Sequence, residues 1–272
     1  MLSKIIKAVL SFGPGIFAIG YTIGTGSVTS MIVAGSTFGM GLLWVLFLSC
    51  LFSGALIYAY GNFALVTGET ALHAFKKYLP YGKVIGILII VGVTFGQWNS
   101  LIGILGISSN IIFELLALYF PAIGPHKYGV VIAIAAVVIG VMYAIMLNGK
   151  YSMFEKVLVF FVTIMGISFI VSLVFVHPLP VDVVRGLVPD IPDVPGGKLM
   201  VAAFVGTTMA AATFLSRPLF IQGKGWTMAN QDQQKKDAII AAILVFVVSG
   251  SVMSVAAGAL YEKSEPITDV LG

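Results

Sequence analysis

The stretch GYTIGTGSVTSM, Gly20 to Met31, lies inside a run from Ala8 to Gly68 that carries no charged residue. So apolar a run is expected to form membrane helix, yet it sets Gly24, Thr25, Gly26 and Ser27 in a row. Glycine is a poor helix former, and Thr and Ser hydroxyls compete for backbone hydrogen bonds. In lipid, a broken helix leaves polar backbone groups with no water to satisfy them. Such a break is tolerated only where protein or a watery cavity covers it. The stretch therefore marks a place where the chain does more than span.

The composition around it sets the class. Hydrophobic residues make up 59% of the 272 and charged residues 10%, where a soluble domain carries about a quarter charged. Mean hydropathy is +1.06. This is an all-α, polytopic membrane protein. Its formal charge of +4 reads as basic loops against anionic lipid, so the bilayer is the expected partner and nucleic acid is not. One cysteine, Cys50, builds neither a disulfide nor a cysteine metal site within the chain. The opening MLSKIIKAVL resembles the charged start of a signal peptide, but no small-residue cleavage site follows before the next spans, so a retained cytoplasmic end is expected. The histidines His73, His126 and His177 all fall beside predicted loops, and no paired intramembrane aspartates exist. Enzyme chemistry and a resident cofactor are not expected.

Spans of roughly 20 apolar residues are expected near 11–35, 40–65, 84–118, 128–148, 153–177, 199–222 and 238–260. Lysines 4, 7, 76, 77, 83, 150, 224, 235 and 236 fall on one set of alternate loops, and the other set is poorer in Lys and Arg. Positive loops face inward, which puts the N-terminus in the cytoplasm of a cell's inner or plasma membrane.

The sixth span also carries an interruption, Gly206-Thr207-Thr208 followed by Pro218. Spans one and six correspond if five helices form one repeat and the chain then starts an inverted copy. Paired interruptions at corresponding positions point to a transporter's midplane site. That frame divides the chain into a first repeat at 1–177, an outer connecting loop at 178–198, and the start of a second repeat at 199–272. The competing account of the small residues is close helix packing.

Several stretches carry a family resemblance. GPG at Gly13–Gly15, AGSTFGMGLLWV at Ala34–Val45, LVTGET at Leu65–Thr70, MFEKV at Met153–Val157 and the register of LFIQ at Leu219–Gln222 resemble the NRAMP family of divalent-metal transporters. The likeness runs along nearly the whole chain. It implies a leucine-transporter-type five-plus-five fold, with the cargo held between the unwound parts of helices one and six. The family's Asp-Pro-Gly-Asn motif falls on Gly24-Thr25-Gly26-Ser27, so its metal-binding aspartate is glycine here. Its Met-Pro-His motif falls on Ala210-Ala211-Ala212, with Met209 one position away. Acidic residues used for proton movement in helix three fall on Gln97 and Ser100.

Two readings follow. In one, a divalent cation that keeps much of its water contacts the carbonyls of the breaks and the hydroxyls of Thr25, Ser27, Thr207 and Thr208. Magnesium suits such a site because it dehydrates reluctantly, and without helix-three acids the transport is expected to be uncoupled from protons. Arg217, on the inner half of span six, is expected to repel metal leaving that way. Glu114 and Glu155 are expected to be interfacial charges. In the other reading, IGTGS acts like the glycine break of amino-acid transporters and binds a carboxylate. A five-plus-five fold needs more helices than seven, so an inactive fragment, completed by C-terminal helices outside this sequence, or a partner subunit is a third expectation.

Overall fold

The computed structural model describes residues 23–147, 151–176, 180–191 and 196–261. Helices dominate the described residues: α1 (Thr25–Phe38), α2 (Leu43–Thr67), α3 (Ala71–Tyr78), α4 (Gly82–Tyr119), α5 (Lys127–Leu147), α6 (Tyr151–Val176), α7 (Pro180–Gly186), α8 (Gly197–Thr208), α9 (Ala211–Gly223) and α10 (Gln231–Leu260). Among the described residues five helical stretches are long and apolar enough to cross a membrane: 43–67, 82–119, 121–145, 197–223 and 228–260. A sixth counts if 160–176 and 180–186, bent by 119°, are one span. The opening residues of the expected first span lie outside the described residues.

Local chemistry sets where these helices stop and start. Gly68, at a left-handed φ of 68°, ends α2 and returns its N–H to Ala64 O at 2.9 Å. Thr70 then caps α3, accepting from His73 N, while Lys76 and Lys77 in its last turn complement the helix dipole. Before α10, Thr227 and Asn230 form a reciprocal capping box.

The core is built around α10. Its residues Ala238, Ala241, Val245, Val248, Val252, Met253 and Ala256 are buried at helical spacing along one stripe. Met31 and Ala34 of α1 and Leu43, Leu46 and Cys50 of α2 are buried with its C-terminal half in one cluster. Backbones come close where side chains are small. A Cβ on Gly54 would stand 2.7 Å from Ala242 Cβ, and one on Gly35 would stand 2.8 Å from Ala256 Cβ. Helices α4 and α5 pack on each other at one side and stay largely exposed along their lengths.

Two expectations change here. The last helix begins at Gln231, not near 238, because Gln234 and Asp237 fall on its buried face while Lys235 and Lys236 point outward. The 178–198 segment is not wholly loop: it contains α7, and Trp44 Nε1 donates to Asp190 O at 2.9 Å, holding the segment against the start of α2.

Candidate functional site at two helix breaks

Gly24 sits at the N-cap of α1 in an extended conformation, φ −96° and ψ −177°, and its carbonyl accepts from Val28 N at 3.0 Å. Thr25, Gly26 and Ser27 are therefore the first turn of a helix and not the interior of a gap. Their N–H groups lie at the positive end of the helix dipole. The Thr25 side chain lies outside the described residues.

The second break falls later than expected. Gly206, Thr207 and Thr208 are helical and close α8; the chain leaves helical geometry at Met209 (φ −99°, ψ 47°) and Ala210 (φ −64°, ψ 122°), and α9 starts at Ala211. Thr207 fits the helix because its Oγ1 donates to Ala203 O at 2.8 Å within the preceding turn. Pro218 lies inside α9 without ending it. At the end of α8, Met209 N donates to Val205 O at 2.9 Å and Ser53 Oγ of α2 donates to Thr208 O at 3.3 Å. Among the described residues no donor reaches the carbonyls of Gly206 and Thr207. They are free acceptors at the negative end of a half-helix.

The start of α1 and the end of α8 abut. A Cβ on Gly26 would lie 3.5 Å from Thr207 Cγ2, an ordinary contact. Among the described residues nothing lies within 4 Å of a Cβ placed on Gly24 or Gly206, whereas close packing explains Gly35 and Gly54. Ser27 and Thr208 are 3% and 1% exposed, and their hydroxyls have no hydrogen-bond partner among the described residues, nor does that of Thr213 in the first turn of α9. Buried hydroxyls are normally satisfied, so unpartnered ones beside a break call for a polar guest or water. Among the described residues no three His, Cys, Asp or Glu side chains come together as a metal site. Among the described residues the polar groups beside the break are carbonyl and hydroxyl oxygens.

Arg217 does not stand alone as a repelling charge. Its guanidinium Nη2 lies 2.7 Å from Oδ2 of Asp237 on α10, both side chains almost fully buried. Neutralised in this way, it presents no net positive charge to an outgoing ion. Met209 and Ala210 form the break itself, half-buried. Gln97 and Ser100 are exposed on α4, so the fold does not gather them with the buried hydroxyls. Glu114 is an exposed helix-end charge, 2.8 Å from Lys127 Nζ. The Glu155 side chain and His177 lie outside the described residues. Ser53, Thr213, Gln234 and Asp237 were not expected from the sequence. For the α10 pair the signal was present as polar and small residues at 234, 237, 238 and 241, one face of a helix, with lysines between.

The profile of the natural resistance-associated macrophage protein-like family matches residues 15–271. The chain belongs to the Nramp family. Among curated Nramp relatives, the divalent metal cation transporter MntH of Mycobacterium leprae (strain TN) is 22% identical, over 90% of this chain and 57% of its own length. MntH of Vibrio campbellii (strain ATCC BAA-1116) is 25% identical, over 98% of this chain and 62% of its own length. The chain thus spans about three fifths of the Nramp relatives it matches.

Proposed function

We propose that this chain carries divalent metal cations across a membrane, as an Nramp-type transporter and not as an enzyme. In this reading its N-terminus is cytoplasmic, and seven spans build one five-helix repeat and the start of an inverted second. The cargo sits between the breaks at Gly24 and Met209–Ala210. The observation that carries the reading is the abutment of the start of α1 on the end of α8, beside buried hydroxyls and α8 carbonyls that have no partner among the described residues. Oxygen ligands favour hard cations over soft ones. A site with no charge of its own is best suited to an ion that keeps most of its water, as magnesium does. With Gln97 and Ser100 in place of helix-three acids, the flux runs down the membrane potential without protons.

Uptake into proteoliposomes tests this, using the chain alone and the chain extended by the remaining C-terminal helices of a MntH relative. Potential-driven magnesium or manganese flux without proton movement is the expected result. Uptake of labelled amino acids without metal flux would overturn it and favour carboxylate binding at the free N–H groups of α1 and α9.

A further inference from the structure

The most deeply buried charged pair among the described residues lies beyond the break. Arg217 of α9 is 1% exposed and Asp237 of α10 is 3% exposed. Taking two charges out of water carries a desolvation penalty that their attraction often only balances, and apolar side chains of similar size frequently pack as well or better. Stability alone is therefore a poor account of the pair.

Its surroundings give a better one. Helix α9 is joined to α8 only through the two non-helical residues Met209 and Ala210, and it lies mainly on α2. Arg217 reaches across to α10, and Phe214 of α9 shares a buried cluster with Ala238 and Ala241 of α10 and Ile57 of α2. One turn before Asp237, the fully buried Gln234 donates Nε2 to the α2 carbonyls of Tyr58 and Ile57, at 3.3 and 3.4 Å. Gly61 leaves the room, since a Cβ there would run into the Gln234 amide. At its far end α9 is tied by Gln222 Nε2, which donates to Gly68 O at 3.1 Å. Helix α9 is thus a rod with a non-helical joint at its start, and its polar tie at mid-length is the Arg217–Asp237 ion pair to a helix that is itself fastened to α2.

We infer that Arg217 and Asp237 are positioning residues whose ion pair latches α9 to α10 and closes the Met209–Ala210 break to water from the side of α9, and that release of the pair opens that side. An ion pair suits a latch because each charge regains its hydration when the two part. It therefore has two low-energy arrangements, paired and dry or apart and wet, where an apolar contact has only the first. The latch acts on the same break as the proposed binding site, but its test reads water access and not cargo, so either reading can fail alone.

The test uses the full chain in membranes, with the sole cysteine removed by Cys50→Ala and a reporter introduced by Thr213→Cys in the first turn of α9. Alkylation by a water-soluble maleimide requires a thiolate that water reaches. Asp237→Asn or Arg217→Met is expected to raise the rate roughly a hundredfold, because losing one partner of a buried pair strongly favours opening. Exchanging the charges, Arg217→Asp with Asp237→Arg, returns the rate toward that of the reporter alone. Replacing both, Arg217→Met with Asp237→Leu, keeps the fold and lowers the rate below the reporter's, because only the dry arrangement remains. An unchanged rate in folded single variants overturns the latch. If the single variants do not fold, the apolar pair decides: a rate equal to or above the reporter's overturns it.

Discussion

Gly24→Asp is expected to create affinity for manganese where the chain now offers none through a carboxylate. The backbone at Gly24 is extended, φ −96° and ψ −177°, so any residue adopts it, and among the described residues nothing lies within 4 Å of the new Cβ. The position is the N-cap of α1. Aspartate is among the best caps, and glycine there is worse by only a few tenths of a kcal/mol. Folding stability is therefore expected to stay within about half a kcal/mol of the parent. The dipole of α1 favours the ionised carboxylate. At about 4 Å and an effective dielectric near 20, one carboxylate and one divalent ion attract by about 8 kcal/mol before desolvation. Dehydrating both offsets most of that, and a remainder of ~1.4–3 kcal/mol is a gain of about ten- to a hundredfold in Kd. Titration calorimetry with manganese on the parent, Gly24→Asp and Gly24→Asn measures it. The asparagine keeps the shape and the cap without the charge. Manganese affinity of Gly24→Asp equal to that of Gly24→Asn, with both folded, would refute the placement of Gly24 against the cargo.

Three further outcomes check the rest of the fold. Gly54→Ala, whose Cβ would meet Ala242 at 2.7 Å, is expected to destabilise by about 1–3 kcal/mol; Gly206→Ala, with open space around it, is expected to be neutral or stabilising by up to about 1 kcal/mol. Thermal melts in detergent compare the two, and equal losses would mean that both glycines serve packing. Ser53→Ala removes the donor to Thr208 O and is expected to lower stability by about 1 kcal/mol, read in the same melts; no loss would mean that water replaces the hydroxyl. In the α2–α3 loop, a hydrogen bond from Lys77 holds the Glu69 carboxyl below its ordinary range. A depressed pKa means that the contribution is present above the unfolded carboxylate value and lost as pH falls through the folded one. The melting-temperature gap between the parent and Glu69→Gln is expected to be constant near neutrality and to close on acidification; a gap that widens would contradict the pairing.

The sequence made the class legible because it is written in what is missing. A run without charge from Ala8 to Gly68 admits only membrane helix, and glycine beside Ser and Thr in such a run announces a break. Fine placement was not legible. Gly206 looked like the breaking residue of span six, yet Thr207 back-bonds to Ala203 and the helix carries on to Thr208. What ends it is Met209 and Ala210, two residues with no breaking tendency of their own, so tertiary context decides there. Arg217 looked like an unanswered charge because its partner stands across a tertiary contact, and Asp237 looked like loop because Lys235 and Lys236 precede it. Helical spacing of Gln234, Asp237, Ala238 and Ala241 was the available clue. The orphaned hydroxyls of Ser27, Thr208 and Thr213 required coordinates, since burial of a serine or threonine in an apolar chain is not written in its neighbours.

The charges of the site bear on what it holds. The end of α8 offers carbonyls worth about half a negative charge, while the starts of α1 and α9 each carry about half a positive one. Arg217 and Asp237 cancel each other. No element at the breaks supplies a full negative charge, so a bare divalent ion would lose far more hydration than the oxygens here replace. The hydroxyls of Ser27 and Thr208 both donate and accept, which lets them turn to the water of a hydrated ion as readily as to the ion itself. A manganese-selective site needs stronger or softer ligands than these, and in the proposed register Gly24 and Ala210 stand where such ligands would be. The proposed preference for a hydrated hard cation therefore follows from the whole set of dipoles at the two breaks, and a single carboxylate at position 24 is the smallest change that reverses it.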